Sequence, residues 1–303
     1  MSKNFDELLL KVKECRRKKV AVAVAQDEPV LEAIREAKER GIADAILVGD
    51  KEKIQEIANL IGMNLNDYEI VHEADTKKAT LKAVELVHDR KADMLMKGLV
   101  DTATFLRSVL NKEIGLRTGK VMSHVAVFDI DKVDRLLFLT DVAFNTYPEL
   151  KEKSQIISNA VAVAHACGID CPKVAPVCAV EVVNPNMPAT VDAAILSKMN
   201  DRGQIKGCVV DGPFSLDIAI SEEAAHHKGI KNSEVAGKAD IIMLPNIETG
   251  NVMYKTLTYT SNSRNGGILV GTSAPVILTS RADSFETKVN SIALAAVVAE
   301  TSK

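Results

Sequence analysis

The feature that most constrains the fold of this chain is a regular alternation of short apolar runs with helical segments. Eleven runs, from Val20–Ala25 to Val276–Leu278, are rich in Val, Ile and Ala on both faces. Helical segments separate most of them, among them Glu28–Arg40, Thr102–Asn111 and Ser284–Glu300. Strands without a polar face, separated by helices, are typical of a mostly parallel sheet covered on both sides. The sequence therefore predicts an α/β fold.

Two neighbouring runs do not fit this alternation. Val121–Phe128 and Leu136–Thr140 are joined by a link too short for the crossover helix that parallel strands need, so we predict an antiparallel hairpin. A chain of 303 residues is also long enough for its core to divide in two. We place the division at the hairpin and predict two α/β lobes with a cleft between them. The first lobe comprises residues 1–136 with 270–303, and the second comprises residues 137–269.

The composition argues against nucleic-acid and membrane binding. The formal charge is −3, 4% of the residues are aromatic and Trp is absent, so neither a cationic surface nor a base-stacking platform is expected. The most apolar stretches, Ile157–Cys167 and Ile292–Ala299, are shorter than the roughly 20 residues that span a bilayer. The first residues lack the pattern of a signal peptide, and the five cysteines form no CxxC motif. These features predict a cytoplasmic protein with reduced thiols and no structural metal.

Three common functional motifs are missing from the sequence. No GxGxxG follows the first predicted strand, and neither GxxxxGK[ST] nor GxSxG occurs. Binding of a nicotinamide cofactor, a P-loop nucleotide site and a nucleophile-elbow hydrolase therefore lose support.

Polar residues follow five of the predicted strands at the point where each strand ends. They are Lys97, Asp141 with Asn145, Asp211, Asn246 with Glu248 and Asn251, and Ser280 with Arg281. One such cluster is usually turn and capping chemistry. Five of them, at the edge where open α/β sheets bind ligands, predict a binding site.

Ser280 and Arg281 indicate an anion as the ligand. We predict Ser280 at the N-cap of the last helix, where backbone N–H groups favour a bound anion. Arg281 adds a planar donor fork suited to phosphate. The segment Lys97–Lys120 carries five basic residues, Arg107 among them, against two acidic ones. This run is either a solvated face or a local field that attracts a polyanionic substrate.

His124 lies in a predicted strand just after the basic segment. It is a candidate general base, with a structural histidine as the alternative.

Several longer segments resemble the phosphate acyltransferase family, whose members move an acyl group between coenzyme A and inorganic phosphate. They are Ala92–Leu110, Thr140–Leu150, Asp211–Ser221, Ser233–Lys255 and Thr279–Ala295. The resemblance covers nearly the whole chain, and Gly115–Val125 and Ala179–Ala193 look most like the butyryl-transferring branch. It implies a fold similar to isocitrate and isopropylmalate dehydrogenases, with the active site in the cleft between the lobes.

The resemblance also implies the reaction and the partners. We expect direct transfer of a short acyl group, butyryl rather than acetyl, in a ternary complex with acyl-CoA and phosphate as substrates. No metal and no cofactor are expected, and the family suggests a homo-oligomer. The alternatives are an acetyl-transferring enzyme, a metal-dependent hydroxyacid dehydrogenase on the same fold, and a catalytically silent protein that binds coenzyme A or phosphate.

Matching to the family pattern assigns the site residues. Three residues match family residues of the phosphate site: Ser280, Arg281 and Arg107. In the family pattern, the residues at Ser280 and Arg281 also stabilise charge on the acyl carbonyl. The family aspartate that deprotonates the coenzyme A thiol is replaced by Thr287, which leaves Glu286, Asp283 and His124 as candidate bases. We expect the other strand-end residues to bind substrate: Lys97, Asp141, Asn145, Asp211, Asn246, Glu248 and Asn251.

Overall fold

A computed structural model of the protein describes residues 2–280 and 283–301, and it confirms the α/β fold. The strands are β1 (Lys18–Ala23), β2 (Ala43–Gly49), β3 (Glu69–His72), β4 (Met94–Lys97), β5 (Ser123–Ile130), β6 (Leu137–Thr140), β7 (Lys173–Pro176), β8 (Val209–Val210), β9 (Ile241–Met243), β10 (Ser263–Val270) and β11 (Val276–Ile277). The helices are α1 (Phe5–Glu14), α2 (Glu28–Glu39), α3 (Lys51–Ile61), α4 (Thr76–His88), α5 (Thr102–Val109), α6 (Leu150–Ala166), α7 (Pro188–Asp201), α8 (Leu216–Ile220), α9 (Glu222–His227), α10 (Ile247–Thr260) and α11 (Phe285–Thr301).

The chain forms two compact units. The terminal unit comprises Asp6–Lys120 with Asn265–Lys303, and the central unit comprises Met1–Phe5 with Val121–Arg264. The sequence places the first division inside the β5–β6 hairpin, at residues 136 and 137, whereas the compact units divide before it, at residues 120 and 121. Two strands that share a ladder of hydrogen bonds pack as one body, so the hairpin stays whole.

The terminal unit is built on a mostly parallel sheet. Its strand order is β3-β2-β1-β4-β11-β10, and within it β1 pairs in parallel with both β2 and β4. β4 pairs in parallel with β11, while β10 and β11 are antiparallel. The residues of β1 from Val20 to Ala23 are fully buried, because helices cover both faces of the sheet.

Helix α11 belongs to the core of the terminal unit. The sequence leaves open whether this apolar helix forms a core or an interface between copies. Its residues from Thr287 to Val298 are all buried within the single chain, and it packs against α2. The apolar run Ile292–Val298 has no polar face to turn toward water, and this surrounded position keeps it buried.

The central unit has the strand order β5-β6-β9-β7-β8. The predicted antiparallel hairpin of β5 and β6 is confirmed, with Ala126 opposite Leu139. Strands β6, β9, β7 and β8 run parallel, so their carboxyl ends share one edge of the sheet. Phe128, Leu139 and Ile242 belong to the apolar cluster between this sheet and its helices.

No helix in the described part of the chain is both long enough and apolar enough to pass through a membrane.

Candidate functional site

The direction of the chain changes at β1 in the terminal unit. From β1 the chain proceeds outward to β2 and β3 on one side, and then returns to add β4 on the other side. The helices that follow β1 and β4 therefore leave the sheet edge in different directions and open a crevice between the two strand ends. In open α/β sheets, ligands bind in this crevice.

A cavity of about 350 Å³ lies at this point, and we call it the switch-point cavity. It is lined by the residues that follow β1 (Gln26, Asp27, Glu28, Pro29 and Val30), the residues around the end of β4 (Lys97, Gly98 and Leu99), Thr279 and Ser280 after β11, and Lys288 of α11. Three strand ends and the start of α2 thus contribute to one small space, and charged and hydroxyl side chains are among the residues that line it.

The loops after β1 and β4 are locked together at the cavity edge. Val24 has φ = 59°, a left-handed conformation that is rare for a β-branched residue and marks local strain. Its carbonyl accepts a hydrogen bond from the N–H of Leu99 at 2.8 Å. A Cβ on Gly98 would lie 2.3 Å from the same carbonyl oxygen, so only glycine permits this approach. Contacts with Gly98 and Leu99 therefore hold Val24 in this strained conformation.

Two buried lysines face the switch-point cavity. Lys97, which the sequence identified, is 7% exposed, and its Nζ lies 3.4 Å from the carbonyl oxygen of Gly98. Lys288, which the sequence analysis missed, is 3% exposed and donates a hydrogen bond from Nζ to the carbonyl oxygen of Asp283 at 2.6 Å. Burial lowers the pKa of the Lys288 ammonium, while the negative charges of Asp283 and Asp27 oppose that shift. The available signal for Lys288 was its position as the single lysine of the last predicted helix, just before the apolar run Ile292–Ala299.

Ser280 lines the cavity, but it does not cap the last helix, and this corrects the sequence-based expectation. Helix α11 begins at Phe285, and the N–H of Thr287 donates to Oγ of Ser284, which is the capping contact. Ser280 instead lies in a turn closed by Asp283, whose carboxylate accepts a hydrogen bond from the N–H of Ser280 at 2.6 Å. Arg281 lies outside the described residues.

The two carboxylates proposed as thiol bases lie in different surroundings. Asp283 borders the cavity through its contact with Ser280, whereas the Glu286 carboxylate lies 3.8 Å from Nη1 of Arg40, beyond the C-terminal end of α2. Thr287, at the position of the family aspartate, is buried and donates from Oγ1 to Oδ1 of Asn265 at 2.8 Å. Its hydroxyl therefore joins α11 to β10.

Arg107 is exposed in the last turn of α5 and does not line the switch-point cavity. Its predicted role at the phosphate site stays a prediction.

In the central unit, Asp141 and Asn145 meet directly. The buried Asp141 carboxylate accepts hydrogen bonds from the N–H groups of Ala143 and Phe144 at 2.9 Å. Its second oxygen accepts from the N–H of Asn145 at 3.2 Å and from Nδ2 of Asn145 at 2.6 Å. Asn145 Nδ2 also donates to the carbonyl of Met122 at 2.8 Å. These bonds fix the turn that follows β6.

Asn246 caps helix α10 and Glu248 and Asn251 lie within it, whereas the sequence analysis named no helix at this place. Asn246 is the N-cap, and its side chain accepts from the N–H of Thr249 at 2.9 Å. The Glu248 carboxylate accepts from the Tyr147 hydroxyl at 2.6 Å, and Asn251 Nδ2 donates to the carbonyl of Val142 at 3.5 Å. The residues that follow β6 and β9 are therefore brought together at the carboxyl edge of the central unit.

Asp211 and His124 do not join this cluster. The Asp211 carboxylate follows β8 and accepts from the Ser233 hydroxyl at 2.5 Å. His124 is buried in β5, and its carbonyl accepts from the Thr140 hydroxyl at 2.9 Å.

A second, larger cavity of about 700 Å³ lies at the carboxyl ends of β7 and β9 in the central unit. Its lining is largely apolar and includes Val177, Leu216, Leu244, Val252 and Met253, with Cys178 among the few polar groups. In the described part of the chain, no group of His, Cys, Asp and Glu side chains is arranged to hold a metal ion.

Comparison with known proteins identifies relatives that cover almost the whole chain. Residues 4–79 and 51–296 match the family described as "Phosphate acetyl/butaryl transferase". The chain is 76% identical to the phosphate butyryltransferase of Clostridium acetobutylicum, over 99% of both chains. Its structure is similar to that of a branched-chain phosphotransacylase from Enterococcus faecalis, with a TM-score of 0.83 and 33% identity over 93% of this chain and 99% of that chain. The fold alone is also similar to a 4-hydroxythreonine-4-phosphate dehydrogenase from Klebsiella pneumoniae, with a TM-score of 0.56 and 11% identity over 94% of this chain and 100% of that chain.

Proposed function

The chain belongs to the phosphate acetyl/butyryl transferase family, and on that premise we propose that it transfers a butyryl group between coenzyme A and inorganic phosphate. The observation that supports this most strongly is the 76% identity, over nearly the full length, to a phosphate butyryltransferase. The structure adds a cavity at the position where α/β sheets bind ligands, with the Ser280 hydroxyl and two buried ammonium groups in its lining.

Phosphate binds in the switch-point cavity in this proposal. The Ser280 hydroxyl and the Lys97 ammonium supply hydrogen-bond donors from the cavity wall, and Arg281 supplies the adjacent guanidinium. Charge-assisted hydrogen bonds of this kind are roughly twice as strong as bonds between neutral groups. Lys97 is the last residue of β4 and Ser280 follows β11, so these two donors are attached to neighbouring strands, which favours one orientation of the anion.

The reaction is a direct acyl transfer. A phosphate oxygen forms a bond to the thioester carbonyl carbon, and the carbon–sulfur bond breaks with its electron pair left on sulfur. The proton that phosphate loses is transferred to the leaving thiolate, so the products are acyl phosphate and coenzyme A. Two anions meet at one carbon, and fixed donors offset their repulsion and stabilise the oxyanion that forms on the carbonyl. Both substrates are present together in a ternary complex.

The reverse reaction requires a group that takes the proton from the coenzyme A thiol. Asp283 is the best placed of the three candidates, because its carboxylate contacts the residue that lines the cavity. Glu286 faces Arg40, and His124 lies in the other unit. Asp283 is therefore the proposed proton acceptor, although Thr287 replaces the aspartate of the family pattern.

We also propose a cytoplasmic homo-oligomer. The support for self-association is the surface of α10, a helix in which Gly250 is the single buried residue and Val252 and Tyr259 are each 66% exposed. Light scattering after gel filtration tests the oligomer directly, and a monomer at every concentration would contradict it.

The activity is tested by release of free thiol from acyl-CoA in the presence of phosphate. The expected result is thiol release that depends on phosphate, with a higher kcat/KM for butyryl-CoA than for acetyl-CoA. A hydrophobic pocket discriminates by about 1–3 kcal/mol per methylene, so the two values should differ by tenfold or more. Activity restricted to acetyl-CoA would indicate the acetyl-transferring alternative, and no release with any acyl-CoA would indicate a protein that binds without catalysis.

A further inference from the structure

We propose that Lys288 binds the phosphate substrate in the switch-point cavity and is charged when it does so. This inference rests on the proposed function and extends it to a residue that the family pattern does not supply. Lys288 follows Thr287, the position at which this chain departs from the family, and it lies on the opposite side of α11 from Glu286.

The burial of Lys288 without a carboxylate partner is the first observation. The residue is 3% exposed, yet its ammonium forms no salt bridge with any described residue, and within the described residues its side chain donates a hydrogen bond to the Asp283 carbonyl alone. Buried lysines are rare unless they are paired, because removing an ammonium group from water is costly. Lys18, the other lysine buried to this extent, does have such a partner in Glu300. Among the described residues, the carboxylates of Asp27 and Asp283 act on the Lys288 ammonium without forming a salt bridge with it, so a bound anion can still contact the ammonium directly.

The position of the ammonium is the second observation. Lys288 lines the same cavity as Ser280, Thr279 and Lys97. An ammonium group has three donors, and the Asp283 carbonyl uses one of them, so two remain for a ligand. Residues two apart on a helix point about 200° away from each other, which explains why Glu286 faces Arg40 while Lys288 faces the cavity.

The charges around Lys288 favour a small anion over a large polyanion. Asp27 and Glu28 line the cavity together with Lys97. Asp283 precedes Lys288 by five residues, and its carbonyl contacts the Lys288 ammonium. The two lysines and the two carboxylates of the lining nearly cancel. Inorganic phosphate, with four oxygens that accept hydrogen bonds from ammonium and hydroxyl donors, suits this lining, since its binding depends on hydrogen bonds rather than on a strong field.

The variants Lys288→Met and Lys288→Arg test the inference, with Lys77→Met as a control for removal of an exposed lysine of the same unit. Steady-state kinetics are measured with butyryl-CoA and phosphate varied separately. Loss of a charge-assisted contact predicts that Lys288→Met raises KM for phosphate by about tenfold or more and leaves KM for butyryl-CoA within about twofold. Lys77→Met should match the wild type. A KM for phosphate within about twofold of wild type in Lys288→Met would overturn the proposal.

The pH dependence gives a second and independent readout. Burial lowers the pKa of Lys288, so in the wild type KM for phosphate should rise at alkaline pH as the ammonium loses its proton. Arginine stays protonated, so in Lys288→Arg this rise should be absent or shifted to higher pH. Ionisation of phosphate itself is common to both enzymes and cancels in the comparison. Superimposable profiles would overturn the proposal even if Lys288→Met does not fold. Wild-type protein without phosphate-dependent thiol release would instead refute the proposed function.

Discussion

The carboxylate of Asp283 accepts a hydrogen bond from the backbone N–H of Ser280 at 2.6 Å, and the N–H of Asp283 donates back to the Ser280 carbonyl at 3.1 Å. This reciprocal pair closes a turn between β11 and α11 and keeps Ser280 at the cavity wall. The carbonyl of Asp283 also accepts the Lys288 ammonium. Asp283, itself a candidate base, therefore contacts both the backbone of Ser280 and the ammonium group of Lys288.

Replacement of Asp283 by Asn separates its chemistry from its structural role. Asn retains an oxygen that can accept from Ser280 N–H but cannot take a proton, so Asp283→Asn should lower kcat in the direction that consumes coenzyme A by about 10²-fold or more. Glu286→Gln is the matched control and should stay within about twofold of wild type, because Glu286 faces Arg40. Near-normal kcat in Asp283→Asn would show that another group takes the proton.

Asp141 should contribute to stability through its buried carboxylate. Asp141→Ala removes the acceptor of the N–H groups of Ala143, Phe144 and Asn145, and hydrogen bonds to a charged group contribute about 1.5–3 kcal/mol each. We expect the free energy of unfolding in urea to fall by at least about 2 kcal/mol. The exposed Asp201, paired with Lys198, is the control, and Asp201→Ala should cost no more than about 1 kcal/mol. Equal losses in the two variants would contradict this reading.

Gly250 is required by close packing between α10 and the turn after β6. A Cβ at this position would lie 2.2 Å from the Asp141 carbonyl oxygen and 2.9 Å from Cα of Val142. Alanine usually stabilises a helix relative to glycine, but here the backbone has to move apart, so Gly250→Ala should lower stability by about 1–3 kcal/mol. A shift of the urea midpoint measures the effect. An unchanged or higher midpoint would refute the packing argument.

The five cysteines should differ in reactivity. Burial raises the pKa of the Cys178 and Cys208 thiols to about 11, so few thiolates form there at pH 8, whereas Cys171 is exposed. Alkylation by iodoacetamide at pH 8, followed by mass spectrometry, should modify Cys171 at least about tenfold faster than Cys178. The Cys171→Ser variant should lack the fast reaction. Fast modification of Cys178 would show that its cavity opens to solvent more than the structure indicates.

The strands were predictable because each of them is a run that is apolar on both faces. Val20, Leu95 and Ile242 are buried from both sides, and burial of that kind leaves a clear pattern in the sequence. The hairpin was predictable from the length of the link between its strands.

Helix α10 was not predicted, because Pro245 and Gly250 look like loop residues. Pro245 lies before the N-cap, where it does not interfere with the helix, and Gly250 is explained by the contact with Asp141 rather than by chain flexibility. The start of α11 was misassigned for a related reason. Ser280 and Ser284 are equally good caps in the sequence, and the choice between them depends on the tertiary contact of Asp283.

The candidate site was predictable in part. The strand-end rule placed Lys97 and Ser280 at the edge where the switch-point cavity lies. Lys288 was missed because a sequence does not show which face of a fully buried helix borders a cavity.

The most direct test of the account is the effect of Ser280→Ala on kcat/KM for phosphate with saturating butyryl-CoA. Removing one donor to the developing oxyanion should lower this value by about 10²–10³-fold while the far-ultraviolet circular dichroism spectrum stays that of wild type. Arg281→Ala should give a loss of similar size. Ser158→Ala, an exposed serine in α6, is the control and should leave the rate unchanged. A Ser280→Ala enzyme with wild-type kcat/KM for phosphate would contradict the assignment of the phosphate site to the switch-point cavity.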